Sequence, residues 1–349
     1  MKRKNLFLLI ASSIIVTSLS SIALIKNVDE INNKPDATLN KASTPEWLDS
    51  CDEPTDYDYS FAVVGDIQNI SYFYPEKVHT IYDYIVDNIE SKKISHVFTL
   101  GDITESNAQR EWDVAKEAIG KLDGKVRYSL VRGNHDGKQG FLDKFGNNSE
   151  YKKQYKASYL SSLNTAVEFS AGNLDYLVVN LDYRPSDEIL TWANSVVEAH
   201  PNHNVIMTTH GYMDSNGQKY DADGGNGGTA IWEKFVSKHS NIVMTLSGHV
   251  DDEVLEAVKN TGVNGNVVTE LLIDPQRTDL LYDGGTGLVA MLYFSNGGSH
   301  VDLRYYSTIR NQYYKAENQI SFDVETVSKI LPWWWKWSRS LTGIYSFKS

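Results

Sequence analysis

From residue 59 onward, short apolar runs rich in β-branched and aromatic residues alternate with segments whose apolar positions recur every three or four residues. The runs 59–65, 95–100 and 126–131 read as strands. Between the first two, Pro75 opens a helix that places Val78, Ile81, Tyr82, Ile85 and Ile89 on one face. Between the second and third, Asn107 is the expected cap of a helix carrying Trp112, Ala115, Ala118 and Ile119 inward. The pattern resumes with a strand at 174–181, a helix at 187–199, a strand at 204–209, a helix at 229–239 and a strand at 241–246. After Asn266 the helical period stops, and 267–273, 288–294 and 300–306 read as consecutive antiparallel strands. Alternating β and α elements followed by a β-meander predict an α/β (α+β) fold, with two sheets packed face to face and helices outside.

The two ends of the chain follow other patterns. Lys2, Arg3 and Lys4 precede a run from Leu6 to Ile25 that is almost wholly apolar or hydroxylic. Residues 1–25 therefore read as a signal peptide or a retained membrane anchor. The basic residues before the run predict an exported protein, extracellular or anchored with its catalytic part outside the cytoplasm. Residues 26–52 are polar, with Pro35 and Pro45, and read as a linker to a domain spanning 53–323. The segment 324–349 holds Trp333, Trp334, Trp335 and Trp337, four of the eight tryptophans, and no acid follows Glu325. With Lys336, Arg339 and Lys348 it suits either an anionic membrane surface or packing against the domain.

Composition narrows the chemistry. At 41% hydrophobic and 22% charged, the 349-residue chain is an ordinary globular protein. Its formal charge of −12 argues against nucleic acid as a partner and means that action on phosphate requires bound cations. The single cysteine, Cys51, excludes an internal disulfide and a thiolate metal cluster.

Candidate chemistry then lines up at the strand ends. The first strand runs into Gly65-Asp66-Ile67-Gln68, the second into Gly101-Asp102-Ile103-Thr104-Glu105, and the third into Gly133-Asn134-His135-Asp136. Strand 204–209 ends at His210, and strand 241–246 runs into Gly248-His249-Val250-Asp251. One aspartate after a strand is an ordinary turn residue. Five glycine-flanked strand ends carrying Asp, Asn and His together fit a two-cation site for metal-assisted hydrolysis. The 212–228 loop, with Asp221 and Asp223, follows His210 and reads either as a lid over such a site or as surface loop.

This ordered set resembles the calcineurin-like metallophosphoesterase superfamily, whose motifs are D-x-H, GDxxD, GNH(D/E), H and GHxH. The nearer likeness is to bacterial exported members with glutamine in the first motif. The resemblance implies a four-layer αββα sandwich, a dinuclear metal centre and cleavage of phosphate esters by a hydroxide bridging the metals. It assigns Asp102 as the bridge between two divalent ions (Mn, Fe, Zn or Mg), with Asn134, His210 and His249 on one ion. Asp66, Gln68 and Asp251 fall to the other, Gln68 and Asp251 standing where the family has histidine. His135 is implied as the group serving the leaving oxygen, oriented by Glu105 or by Asp136. The two departures leave open a non-catalytic surface binding protein on a degenerate scaffold.

Overall fold

The computed structural model describes residues 46–251 and 255–327. The apolar amino-terminal segment, residues 26–45 of the linker and residues 328–349, with all four carboxyl-terminal tryptophans, lie outside the described residues. Among the described residues, no helix is long and apolar enough to cross a membrane.

The first strand of the domain, β2 (Tyr59–Val64, following a two-residue β1, Trp47–Leu48), is buried along its whole length. That pattern belongs to a strand covered on both faces. It pairs in parallel with β3 (Ile94–Thr99), which pairs in parallel with β4 (Arg127–Leu130). A short helix, α1 (Gln68–Phe73), leaves the loop after β2. Helix α2 (Pro75–Asp87) starts at Pro75 as expected and buries Val78, Ile81, Tyr82 and Ile85. Helix α3 (Gln109–Gly120) starts one residue beyond Ala108 rather than at Asn107. Asn107 is left-handed, with φ 58. Its amide oxygen accepts from Trp112 Nε1 at 2.7 Å and from Gly137 N at 3.0 Å, so it ties two loops together. The helix start is served by Glu111, whose carboxylate accepts from Ser106 N at 2.9 Å.

After helix α4 (Lys138–Phe145), the short strand β5 (Ala157–Tyr159) begins the second sheet, followed by a hairpin of β6 (Asn164–Ala171) and β7 (Leu174–Asn180). Strand β7 pairs in parallel with β8 (Asn204–Thr208), and β8 with β9 (Ile242–Ser247). Ser186 caps the crossover helix α5 (Asp187–Glu198) through Ile189 N. Helix α6 (Gly228–Lys234) is shorter than the pattern at 229–239, because Phe235 departs from helical backbone at φ −137.

The expected meander is the main correction. Strand β11 (Val267–Leu272) does not adjoin β12 (Leu288–Ser295); it pairs in parallel with β9 and antiparallel with β10 (Glu256–Thr261). Helix α7 (Gln276–Leu281), absent from the sequence pattern, lies on the crossing between sheets. Strand β12 then pairs antiparallel with β2 and with β13 (His300–Ser307), which also holds β14 (Gln312–Tyr314) and β15 (Ile320–Asp323). Among the described residues this gives an eight-stranded and a seven-stranded sheet.

The sheets face each other across an aromatic core. Phe61 of the first packs edge-on to Phe169 and Tyr176 of the second, at 5.4 and 5.3 Å between ring centres. Each such buried ring contributes about 1.5–3 kcal/mol. A separate apolar cluster, with Leu177, Val205, Ile189, Ala193 and Ile231, joins the outer face of the second sheet to α5 and α6. The expected two-sheet α/β architecture is therefore the observed one.

Candidate metal centre

The parallel strands of both sheets deliver their carboxyl ends to one place, where open α/β sheets bind ligands. The turn after β3 uses left-handed backbone at Gly101 (φ +100) and Asp102 (φ 44). A Cβ on Gly101 would lie 2.7 Å from His210 Nδ1, and one on Gly133 would lie 2.1 Å from Asp102 Oδ1. The glycines beside the candidate ligands are thus required by close approach.

His210 is fully buried and joins the sheets: its Nδ1 lies 2.9 Å from the carbonyl oxygen of Leu100. That contact makes Nδ1 the donor and turns Nε2 toward the oxygens. Nε2 is 2.9 Å from Asn134 Oδ1, 3.2 Å from Asp102 Oδ2 and 3.9 Å from Asp66 Oδ2. Burial opposes protonation of this ring, but the charge and hydrogen bond of Asp102 and the Leu100 carbonyl outweigh it and raise its pKa. Burial likewise pushes the Asp102 carboxyl up, and His210 and His135 more than reverse the push. The surrounding oxygens are thus arranged to receive positive charge.

Asp66 is fully buried; its Oδ2 accepts from the backbone of His249 at 3.0 Å, while Oδ1 has no hydrogen-bond partner. Gln68 is also buried, donating from Nε2 to Asp102 Oδ2 at 3.3 Å and leaving Oε1 without a partner. Burial, and then the charges of Asp274 and Asp102, hold Asp66 well above the usual carboxylate range. Ligand atoms of Asp102, His210 and His249 all lie within 4.8 Å of one another. Buried oxygens without donors, next to imidazole nitrogens and a shared carboxylate, fit divalent cations.

His135 stands at the edge of this cluster. Its backbone N–H donates to Asp102 Oδ1 at 2.9 Å. Its Nδ1 is 2.9 Å from the Glu105 carbonyl oxygen and 3.2 Å from the Glu105 carboxylate. Burial lowers its pKa, but the Glu105 carbonyl and the charges of Asp102 and Glu105 together leave it raised. Of the two expected partners of this ring, the structure supplies Glu105. Asp136 is engaged elsewhere: Oδ2 accepts from Ile103 N at 3.1 Å and Gly133 N at 3.0 Å. Its Oδ1 accepts from Thr104 N at 2.9 Å and Thr104 Oγ1 at 3.0 Å. Asp136 is a tie between two loops, an arrangement that replaces the expected role beside His135. Arg132, paired with Asp182 at 2.7 Å, holds the same loop through the carbonyls of Gly133 and Asp136.

The match to known proteins covers this region. The model for calcineurin-like phosphoesterase matches residues 59–251, more than half of the chain. The chain belongs to the calcineurin-like phosphoesterase family. A dimetal phosphatase from Danio rerio shares its fold, with a TM-score of 0.52 and 14% identity over 78% of this chain and all of that one. An uncharacterized protein, YvnB of Bacillus subtilis (strain 168), is 27% identical over 278 residues. The aligned part is 76% of this chain but only 21% of YvnB, so the chain spans about a fifth of that relative.

Asp251 is exposed, directly before residues 252–254, which are outside the described residues. Asp274, unnoticed in the sequence, is 3% exposed; burial pushes its pKa up to about 7. The signal was present, since Asp274 follows strand β11 as the other candidates follow theirs. The 212–228 loop reaches the centre: Asp223 accepts from Tyr183 Oη and lies 2.8 Å from His249 Nε2. The His249 ring sits between those of Tyr183 and Tyr220, at 5.3 and 4.9 Å. Asp221 serves the fold instead, accepting from Thr229 N at 3.0 Å at the start of α6.

Proposed function

We propose that this phosphoesterase hydrolyses phosphate esters with two divalent cations held at the joined carboxyl ends of the sheets. The observation that carries the reading is the grouping of Asp102, His210 and His249 within 4.8 Å beside the partnerless oxygens of Asp66 and Gln68. Asn134, His210 and His249 would hold one cation; Asp66 and Gln68 would hold the other. Asp102, whose Oδ2 faces His210 on one side and Gln68 on the other, would be shared between the two. Bound cations would supply Lewis acidity to the phosphoryl oxygens and lower the pKa of the attacking water.

The remaining work belongs to the chain. The Leu100 carbonyl fixes the His210 tautomer so that Nε2 keeps its lone pair for a cation. Glu105 holds His135 by Nδ1, directing Nε2 toward the cluster, where it stands 4.0 Å from Asp102 Oδ2. A protonated His135 there neutralises charge on the leaving oxygen and gives it a proton. Phe73, Tyr72, Leu280 and Leu281 are exposed on α1 and α7, the helices that leave the strand ends of Asp66 and Asp274.

The test is hydrolysis of 4-nitrophenyl phosphate and bis(4-nitrophenyl) phosphate by the purified chain, before and after chelation and with Mn, Zn or Mg restored. Metal-dependent release of nitrophenolate is expected. Stoichiometric metal binding with no turnover of either ester or of an alkyl ester would favour the binding-protein reading.

A further inference from the structure

Three buried oxygens on one side of the centre lack a hydrogen-bond partner: Asp66 Oδ1, Gln68 Oε1 and Asp274 Oδ2. The backbone brings the first and last together. Gly65, just before Asp66, has no room for a side chain, because a Cβ there would lie 2.5 Å from the Ile273 carbonyl oxygen and 2.6 Å from Pro275 Cδ. The peptides flanking Asp274 therefore rest directly on the strand end that carries Asp66. One residue beyond Gln68, Asn69 Nδ2 donates to the Gln276 carbonyl at 2.9 Å, pinning α1 to α7. Strand β11 is parallel to β9, so Asp274 leaves the sheet at the same edge as His249.

A structural role explains half of this carboxylate. Asp274 Oδ1 accepts from Gln276 N at 2.8 Å and so shapes the turn into α7. Oδ2 has no such task, and a buried charged oxygen without a donor is costly unless a cation meets it. The aspartate that the family pattern would assign to this half of the centre, Asp251, is exposed.

Resting on the two-cation reading above, we propose that Asp274, rather than Asp251, is the carboxylate that completes the site of Asp66 and Gln68. Its donors are then all oxygens: two carboxylates, an amide and the shared Asp102. Such a set selects a hard cation, manganese, magnesium or calcium, over zinc. The site differs in kind from the imidazole-bearing one beside it.

The experiment is manganese binding to the full chain, read as bound equivalents after dialysis and as affinity by titration, for wild type, Asp274→Asn, Asp251→Asn and Tyr305→Phe. Asparagine keeps the acceptor for Gln276 N and the volume while removing the charge. The expected result is two equivalents for wild type and at least a tenfold weakening of one equivalent in Asp274→Asn. Asp251→Asn should bind as wild type does. Tyr305 is included because its buried hydroxyl also lacks a partner and is the rival group for Asp274 Oδ2; Tyr305→Phe should leave both affinities unchanged. Two wild-type affinities in Asp274→Asn, or the weakening found in Asp251→Asn or Tyr305→Phe instead, overturns the assignment while leaving the two-cation reading intact. A wild type that binds fewer than two equivalents overturns both. Should Asp274→Asn fail to fold, Asp274→Glu, which keeps the charge but moves it by a methylene, takes its place; unchanged manganese affinity there also refutes the proposal.

Discussion

The reassignment of Asp136 yields the sharpest mutational prediction. Its carboxylate receives three backbone N–H groups, those of Ile103, Thr104 and Gly133, and the Thr104 hydroxyl. Asp136→Ala leaves all three backbone donors buried without an acceptor, at about 1–3 kcal/mol each before relaxation. A net loss of about 3–5 kcal/mol is expected, at the upper end for single substitutions. Asp136→Asn behaves differently. With the amide oxygen in the place of Oδ2, Ile103 N and Gly133 N stay satisfied, and the Thr104 hydroxyl rotates to accept from the new NH2. Only Thr104 N is left facing a donor, so the loss is about 1–3 kcal/mol. Urea unfolding of the metal-free chain at pH 7 measures both numbers, and manganese binding on the same samples shows whether the loop still presents Asn134. If either variant unfolds at the wild-type denaturant concentration yet has lost turnover, Asp136 acts on substrate and not as a tie between loops.

Asp102→Asn and His210→Ala should each abolish hydrolysis and remove at least one metal equivalent, read by metal analysis; wild-type turnover in both would misplace the centre. His135→Ala should keep both cations and slow alkyl esters by about 10²–10³-fold; equal losses on aryl esters, whose leaving group needs no proton, would exclude proton donation. Stepwise chelation should empty the oxygen-only position before the one with two imidazoles, with added manganese restoring activity; simultaneous loss of two equivalents would argue that the sites are alike. His96, within β3, is fully buried with Nε2 2.8 Å from Ser129 Oγ, and burial holds its pKa well below the ordinary value. The unfolded chain therefore binds a proton below about pH 6.5 that the folded chain refuses, so stability falls as pH drops, by up to about 1.4 kcal/mol per pH unit. His96→Gln should flatten that slope in urea unfolding between pH 6.5 and 5; an unchanged slope would show that the buried ring is protonated.

The centre was legible in the sequence where one strand delivers one ligand type beside a glycine. Asp66, Asp102, Asn134, His210 and His249 all follow that rule, and the structure brings them to one edge because their strands are parallel. The rule broke where pairing direction was misjudged. Alternation along 267–273 and 288–294 is the same for antiparallel neighbours and for strands in different sheets, since side-chain period says nothing about the partner strand. With β11 placed in a meander, its end pointed nowhere in particular, and Asp274 went unnoticed. Set parallel to β9, the same aspartate becomes a sixth ligand candidate. The role of Asp136 was hidden for a related reason: its partners are backbone N–H groups of a loop more than thirty residues earlier, and N–H groups leave no trace in residue identity. What the sequence does encode at that position is the need for an acceptor, and a carboxylate two residues after Asn134 is equally apt for proton chemistry or for gathering amides. Only the direction in which Thr104 and Gly133 present their donors decides between the two.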